Sequence, residues 1–355
     1  MSGCARRPLP EAKAERALLH ERFPTLEESL PRLVLGHGPT PVRELSPFPG
    51  AGPPVWVKND GLYGTLWGGN KARKLEWTLA DALRRGRTAL VTFGALATNH
   101  GLATALYARE QGLRTALLLV DQPVDEHVRR QLRRLKASGA TLYETHGTAR
   151  TVAALPWVMA RHADLRARRL PYLLPVGGSS RVGCLGYVEA ALELARQVEA
   201  GELPEPSHAV VALGSGGTAA GLTLGLRLAG LRTRVVAVLV NDKLRLNARV
   251  VARLAGRTLD LLRARGADIA DVSISEHDLG VQGRWIGPGY GHHTPEAERA
   301  RALIAEREGL ELEPVYTAKA MAGLLRMRDE GAFGAGPVLF WHTHNALGEP
   351  REEGR

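Results

Sequence analysis

Cysteine is nearly missing from this chain: Cys4 and Cys184 are the only two in 355 residues. They have no metal-ligand spacing and outline no disulfide framework. Aromatic residues make up 5%, too few for the platforms on which nucleic-acid bases stack. No apolar run reaches the roughly 20 residues that cross a bilayer. Arg6 and Arg7 are followed by no apolar stretch, so no secretory signal is read, and a cytoplasmic location without membrane contact is expected. Neither His292-His293 nor His342-Thr343-His344 has partner carboxylates at zinc-motif spacing, so no metal is expected. Basic residues outnumber acidic ones, 47 to 37. They are spread along helical segments such as Arg129, Arg130, Arg133 and Arg134, and no nucleic-acid motif accompanies them, so no such partner is expected.

What the chain does have is glycine, 40 residues of it, within 44% apolar content. That composition suits an α/β protein with many tight strand-to-helix turns, and the length suits two domains. One unit occurs twice. In the first copy residues 88–93 read as a strand, 94–98 as a turn, 99–111 as a helix and 116–120 as the next strand. In the second copy 208–213, 214–218, 219–229 and 235–240 take the same parts. Strand, helix and strand in about thirty residues is the βαβ unit of a parallel sheet. Both turns then lie beyond the carboxyl ends of strands, where ligands of open α/β sheets bind, and a cleft between two domains would face both.

Three segments carry candidate chemistry. Gly68-Gly69-Asn70-Lys71 places a lysine at the mouth of a helix over 71–85, whose apolar positions Ala72, Leu75, Leu79, Ala82 and Leu83 recur at helical spacing before Gly86. A lysine held in a partly dry cleft loses pKa and can form a Schiff base; a plain basic first turn is the alternative. Gly214-Ser215-Gly216-Gly217-Thr218 follows a strand and opens a helix, the context of a phosphate site. It also satisfies G-x-G-x-x-A, with Asp242 after the next strand, so a nicotinamide-dependent oxidoreductase is a rival reading. That rival leaves Lys71 without a task. In Ala97-Thr98-Asn99-His100, Thr98 or Asn99 can cap a helix, and the same helix start can receive a substrate carboxylate.

Taken in order, these segments resemble a known family. The matches are Gly-Gly-Asn-Lys71-x-Arg-Lys-Leu-Glu, Thr98-Asn99-His100, Pro175-Val-Gly-Gly-Ser179 leading to Gly183-x-x-Gly186-Tyr187, the Gly214–Thr218 turn, Glu313-Pro-Val-Tyr-Thr317-x-Lys-Ala-Met321 and Leu339-Phe-x-His-Thr343. From about Leu33 to Leu347 the chain is similar to the 1-aminocyclopropane-1-carboxylate deaminase / D-cysteine desulfhydrase family. The resemblance implies a pyridoxal 5'-phosphate (PLP) enzyme of fold type II, the tryptophan synthase β-like α/β fold, with two open, twisted, mostly parallel sheets flanked by helices. It implies a large PLP-binding domain of residues 1–73 plus 188–355, a small domain of 74–187, and the cofactor in the cleft between them. Lys71 would hold PLP as a Schiff base, Asn99 would bond its 3′-oxygen, and Gly214, Ser215, Gly216, Gly217 and Thr218 would cradle its phosphate. Thr98, with the N–H groups of Asn99 and His100, would receive the carboxylate of a small amino-acid substrate. Tyr290 and Tyr316 would line the pocket and are candidates for proton transfer. A homodimer is implied as well.

Ring-opening deaminases of this family carry a glutamate where this chain has Thr317, and an apolar residue where it has Thr343. The resemblance places Thr317 near the pyridine nitrogen and counts Thr343 among the cofactor-binding residues. A neutral hydroxyl leaves the ring nitrogen less protonated, which suits β-elimination, where a leaving group drains the carbanion early. The expected activity is therefore α,β-elimination on D-cysteine or a relative. Ala97 replaces a glutamine, and His344-Asn345 replace a glycine pair, in the family pattern. These departures keep ring opening, β-replacement and a catalytically silent PLP-binding homologue as alternatives.

Overall fold

The computed structural model describes residues 16–50 and 52–347; Cys4, Arg6 and Arg7 lie outside them. Ten strands are found among the described residues: β1 (Val42–Glu44), β2 (Val55–Asn59), β3 (Ala89–Ala95), β4 (Arg114–Val120), β5 (Thr141–Glu144), β6 (Tyr172–Leu173), β7 (His208–Leu213), β8 (Arg234–Leu239), β9 (Leu279–Gln282) and β10 (Val338–His342). They form a six-stranded sheet in the order β1-β2-β10-β7-β8-β9 and a four-stranded sheet in the order β5-β4-β3-β6. Every neighbouring pair is parallel except β1 with β2. The expected fold class, two mostly parallel sheets flanked by helices, is the one observed. Strands such as Val235–Val238 and Ala116–Leu119 are buried throughout, because helices cover both sheet faces.

Both βαβ units form, with shifted edges. β3 runs through Gly94 and Ala95, which stay paired with Leu119 and Val120 of β4. The helix of the second unit starts at Gly217, two residues early. Gly216 takes φ +92°, a left-handed turn that needs no Cβ, and the chain enters the helix at once. The helix read over 71–85 spans Asn70–Arg84, and Gly86 ends it at φ +60°.

The start of the Asn70–Arg84 helix is fixed by close backbone contact and by buried charge. A Cβ on Gly186, in the Leu185–Glu199 helix, would lie 2.1 Å from the Arg73 carbonyl oxygen, so only glycine lets these helices meet there. The Arg73 guanidinium donates to both oxygens of Asp60, at 3.0 and 2.8 Å, and to both of Glu193, each at 3.0 Å. Asp60 Oδ2 also accepts from Tyr187 Oη at 2.9 Å and Trp341 Nε1 at 2.8 Å. Lys58 Nζ reaches Glu193 Oε1 at 2.6 Å. Burial alone pushes the Glu193 carboxyl up, but Arg73 and Lys58 outweigh it and hold it well below the usual range. One network thus ties β2, β10 and two helices to the turn of backbone that carries Lys71.

Candidate active site

The carboxyl ends of β3, β4 and β7 open on a cavity of about 690 Å³. The structure brings the expected site residues to its wall from six separate segments. Lys71 comes from the Asn70–Arg84 helix, and Thr98, Asn99 and His100 from the start of the Asn99–Glu110 helix. Gly214, Ser215, Gly216 and Thr218 come from the second glycine turn, and Tyr290, Tyr316 and Thr343 from three later segments. Gly217 is the exception: it lies behind the wall, with its N–H donating to Ser179 Oγ at 2.9 Å.

Lys71 keeps some accessible surface in the cleft, yet protein crowds its amine. Burial holds its pKa well below the usual lysine value; the Lys74 charge adds to this and Glu313 opposes it. Its Nζ donates to Asn70 Oδ1 at 2.8 Å, and Asn70 Nδ2 donates in turn to Thr218 Oγ1 at 3.2 Å. The amine is therefore linked through one amide to the glycine turn. There Ser215 Oγ lies 2.8 Å from Ser179 Oγ. The first N–H groups of a helix lack intrahelical partners, so the Gly217–Leu228 helix start can receive an anion.

Across the cavity Thr98 Oγ1 caps its helix by accepting from the Gly101 N–H at 3.0 Å. Asn99 Oδ1 accepts from Gln131 Nε2 at 2.9 Å, which leaves its NH₂ group to donate. His100 Nε2 meets Thr92 Oγ1 at 3.0 Å, while its Nδ1 is buried without a hydrogen-bond partner among the described residues. Burial first, then the Lys71 and Lys74 charges, keep this ring neutral. The Tyr290 and Tyr316 hydroxyls are 2.7 Å apart, and their rings meet edge to face. Burial raises both phenol pKa values, so both stay protonated. Thr317 Oγ1 accepts from the Glu313 N–H at 2.7 Å, and the Thr343 carbonyl accepts from the Asn70 N–H at 3.2 Å.

Two charged groups on this wall carry no expectation from sequence. Lys74 sits one helical turn after Lys71, a spacing that puts both on one face. Its Nζ donates to the Gly177 carbonyl at 3.2 Å, and burial brings its pKa down to about 8. Glu313 accepts from the Val315 and Tyr316 N–H groups at 3.1 and 2.6 Å. Burial pushes its carboxyl up to about 7 against those bonds. The departures from the family pattern find partners too. The Ala97 N–H donates to Gln122 Oε1 at 3.3 Å, and Asn345 Oδ1 accepts from the Gly68 N–H at 2.7 Å.

A low-pKa amine, an anion-receiving helix start and a second helix start share one cleft between parallel sheets. Those parts suit an aromatic aldehyde that carries a phosphate, and they define an α/β enzyme built around a carbonyl cofactor. The chain belongs to the pyridoxal-phosphate dependent enzyme family, which matches residues 33–344, and its cofactor is pyridoxal phosphate. It is 36% identical over 324 residues to a D-cysteine desulfhydrase of Salmonella paratyphi A, covering 89% of this chain and 94% of that protein. A D-cysteine desulfhydrase of Klebsiella pneumoniae is also 36% identical, over 329 residues, with the same coverage. Among solved structures, an ACC deaminase homologue superposes with a TM-score of 0.75 at 30% identity, over 92% of this chain and 95% of that one. A threonine deaminase shares the fold, with a TM-score of 0.60 at 18% identity, over 93% and 98%.

The nicotinamide reading of the glycine turn ends here. Asp242, which that reading needs for a ribose, accepts from the Tyr290 N–H at 2.9 Å. Among the described residues no helix is long and apolar enough to cross a membrane.

Proposed function

We propose that this protein is a PLP-dependent lyase that performs α,β-elimination on D-cysteine or a close relative, releasing a 2-oxo acid, ammonia and sulfide. The observation that carries the reading is the amine of Lys71, its pKa lowered by burial and its Nζ tied through Asn70 to the glycine turn. Bound PLP supplies an electron sink for charge that develops on the substrate α-carbon. Lys71 would hold the cofactor aldehyde, and the Gly214–Thr218 turn its phosphate. The Asn99 NH₂ group would reach the cofactor's 3′-oxygen. Thr98 and the N–H groups of Asn99 and His100 would receive the substrate carboxylate, fixing the α-carbon beside Lys71. Once free, the Lys71 amine can accept the α-proton as general base. The paired hydroxyls of Tyr290 and Tyr316 can pass a proton to departing sulfur. Thr317 offers a hydroxyl in place of a carboxylate, and Thr343 one in place of an apolar side chain, which favours loss of a leaving group over ring opening. The same reading takes the protein as a cytoplasmic homodimer.

Purified holoenzyme given D-cysteine is expected to form pyruvate and sulfide in equal amounts. Absence of both products removes the proposed substrate. 2-Oxobutanoate from 1-aminocyclopropane-1-carboxylate would assign ring opening instead.

The phosphate cradle has its own test. A Cβ on Gly217 would lie 2.6 Å from Ser179 Oγ and 3.1 Å from Lys74 Nζ. Gly217→Val should push Ser179 away from the turn and weaken cofactor retention about tenfold or more through lost hydrogen bonds. Equilibrium dialysis against PLP measures this, and unchanged retention would show that the turn does not carry the phosphate.

A further inference from the structure

The segment that presents Tyr290 has little regular structure of its own. Gly287, Gly289 and Gly291 all take positive φ, at +66°, +134° and +82°. Such a stretch has much conformational entropy to lose, so other groups must hold it. Two side chains from different elements do so. Lys319, in the Thr317–Asp329 helix, is fully buried, and its Nζ donates to the Ile286 carbonyl at 2.8 Å and the Gly289 carbonyl at 3.2 Å. Asp242, just after β8, accepts the Tyr290 N–H at 2.9 Å. Neither residue lines the cavity. Both are prominent in the sequence, Lys319 in the Glu313–Met321 motif and Asp242 after the second βαβ unit, and the proposed chemistry uses neither.

We propose that Lys319 and Asp242 are positioning residues: together they clamp the Ile286–Tyr290 backbone and so set the Tyr290 hydroxyl against Tyr316. The assignment of Tyr290 to the reaction rests on the function proposed above; the clamp does not. The geometry makes one helix responsible for both tyrosines. Tyr316 is the residue just before the Thr317–Asp329 helix, and Lys319 follows it by one turn, reaching back to the segment that carries its partner. The ammonium acts on two carbonyl oxygens at once, and charged donors make the stronger hydrogen bonds. Asp242 accepts from the N–H of the same Gly289–Tyr290 peptide group whose carbonyl Lys319 holds, so that plane is pinned from both edges, and Lys319 also holds the Ile286–Gly287 plane. Asp242 also stands close to Gly289, where a Cβ would lie 3.1 Å from Asp242 Oδ2. Burial draws the Lys319 pKa down, and Glu313 and Asp242 oppose that shift, so the acidic neighbours help keep the clamp charged.

Hydrogen–deuterium exchange of the holoprotein, read on peptides spanning residues 285–294, tests the clamp directly. Lys319→Met and Asp242→Ala are each expected to speed exchange there about tenfold or more, as lost protection of a local unit. Exchange in β7 and β8 and the visible absorption of bound PLP should stay as in the wild type. Asp242→Asn keeps an acceptor for the Tyr290 N–H and should retain protection. With a turned-over substrate, kcat should fall about tenfold while KM moves less, because the tyrosine pair acts on the departing group rather than on the carboxylate. Wild-type exchange in both variants, or faster exchange spread equally through β7 and β8, would overturn the proposal. If Lys319→Met does not fold, the Asp242→Ala result decides by the same criterion. Wild-type failure to act on D-cysteine would sink the substrate reading and leave the exchange result standing.

Discussion

Lys71→Ala should give a folded, colourless protein with turnover lowered by about 10⁴-fold or more, the combined scale of a lost nucleophile and a lost general base. Both losses follow from one atom. Burial, and after it the Lys74 charge, disfavour the protonated form of this amine, which favours its attack on a carbonyl. Lys74 cannot replace it. Its Nζ is turned to the Gly177 carbonyl at 3.2 Å, and it stands 2% exposed in the wall rather than in the open cleft. Stability should change little, since the substitution removes a crowded basic group whose amine bonds, among the described residues, to the adjacent Asn70. The measurement is visible absorption after dialysis against PLP, with far-ultraviolet circular dichroism to confirm the fold. A variant that kept the wild-type band would move the Schiff base to another amine. A variant that lost activity and kept the band would leave Lys71 with proton transfer alone. Adding back a small primary amine should restore some turnover, as it can fill the space left by the side chain.

The parts of this site that were legible in sequence are the local ones. Glycines and hydroxyls at a helix start announce an anion site within five residues, and Gly214–Thr218 and Thr98–His100 are of that kind. Lys71 was legible because two glycines precede it. Lys74 shares its face at one-turn spacing, yet a second lysine three residues on reads equally well as a solvated helix face. Glu313 has Lys319 six residues on as a charge partner, but its other cationic neighbour in the cleft, Lys71, lies over 200 residues away. Lys58 was least legible. Val55-Trp56-Val57-Lys58 alternates like a short strand and forms β2, yet the alternation does not tell that Lys58 is fully buried. Its compensation is Glu193, from a helix more than 100 residues later, and no local pattern reports such a pairing. The βαβ repeats were legible because their period is short, whereas the earlier start of the second helix follows the left-handed turn at Gly216, and the partner of its first N–H, Ser179 Oγ, belongs to another segment.

Arg73→Ala should be the most destabilising single change tested, by about 3–5 kcal/mol, the usual cost of breaking a buried ion pair by removing one partner. Arg73 is 1% exposed and makes five side-chain hydrogen bonds, two to Asp60, two to Glu193 and one to Thr40. Alanine would leave two buried carboxylates with less counter-charge than they need. Lys58 would still face Glu193 at 2.6 Å, and Tyr187 and Trp341 would still donate to Asp60, so the loss is bounded and the chain should fold at low temperature. Arg73→Lys keeps the charge but not the planar fork that serves two carboxylates at once, so it should recover only part of the loss. Arg133→Ala is the contrast. Its pair with Glu126 is 64% and 63% exposed, and such surface pairs contribute little. Urea unfolding of the three variants ranks them. The same helix turn carries Lys71, so Arg73→Ala should also release PLP more readily below its unfolding midpoint, while Arg133→Ala should not. Equal unfolding midpoints for Arg73→Ala and Arg133→Ala would show that the network is not what holds the lysine-bearing turn in place.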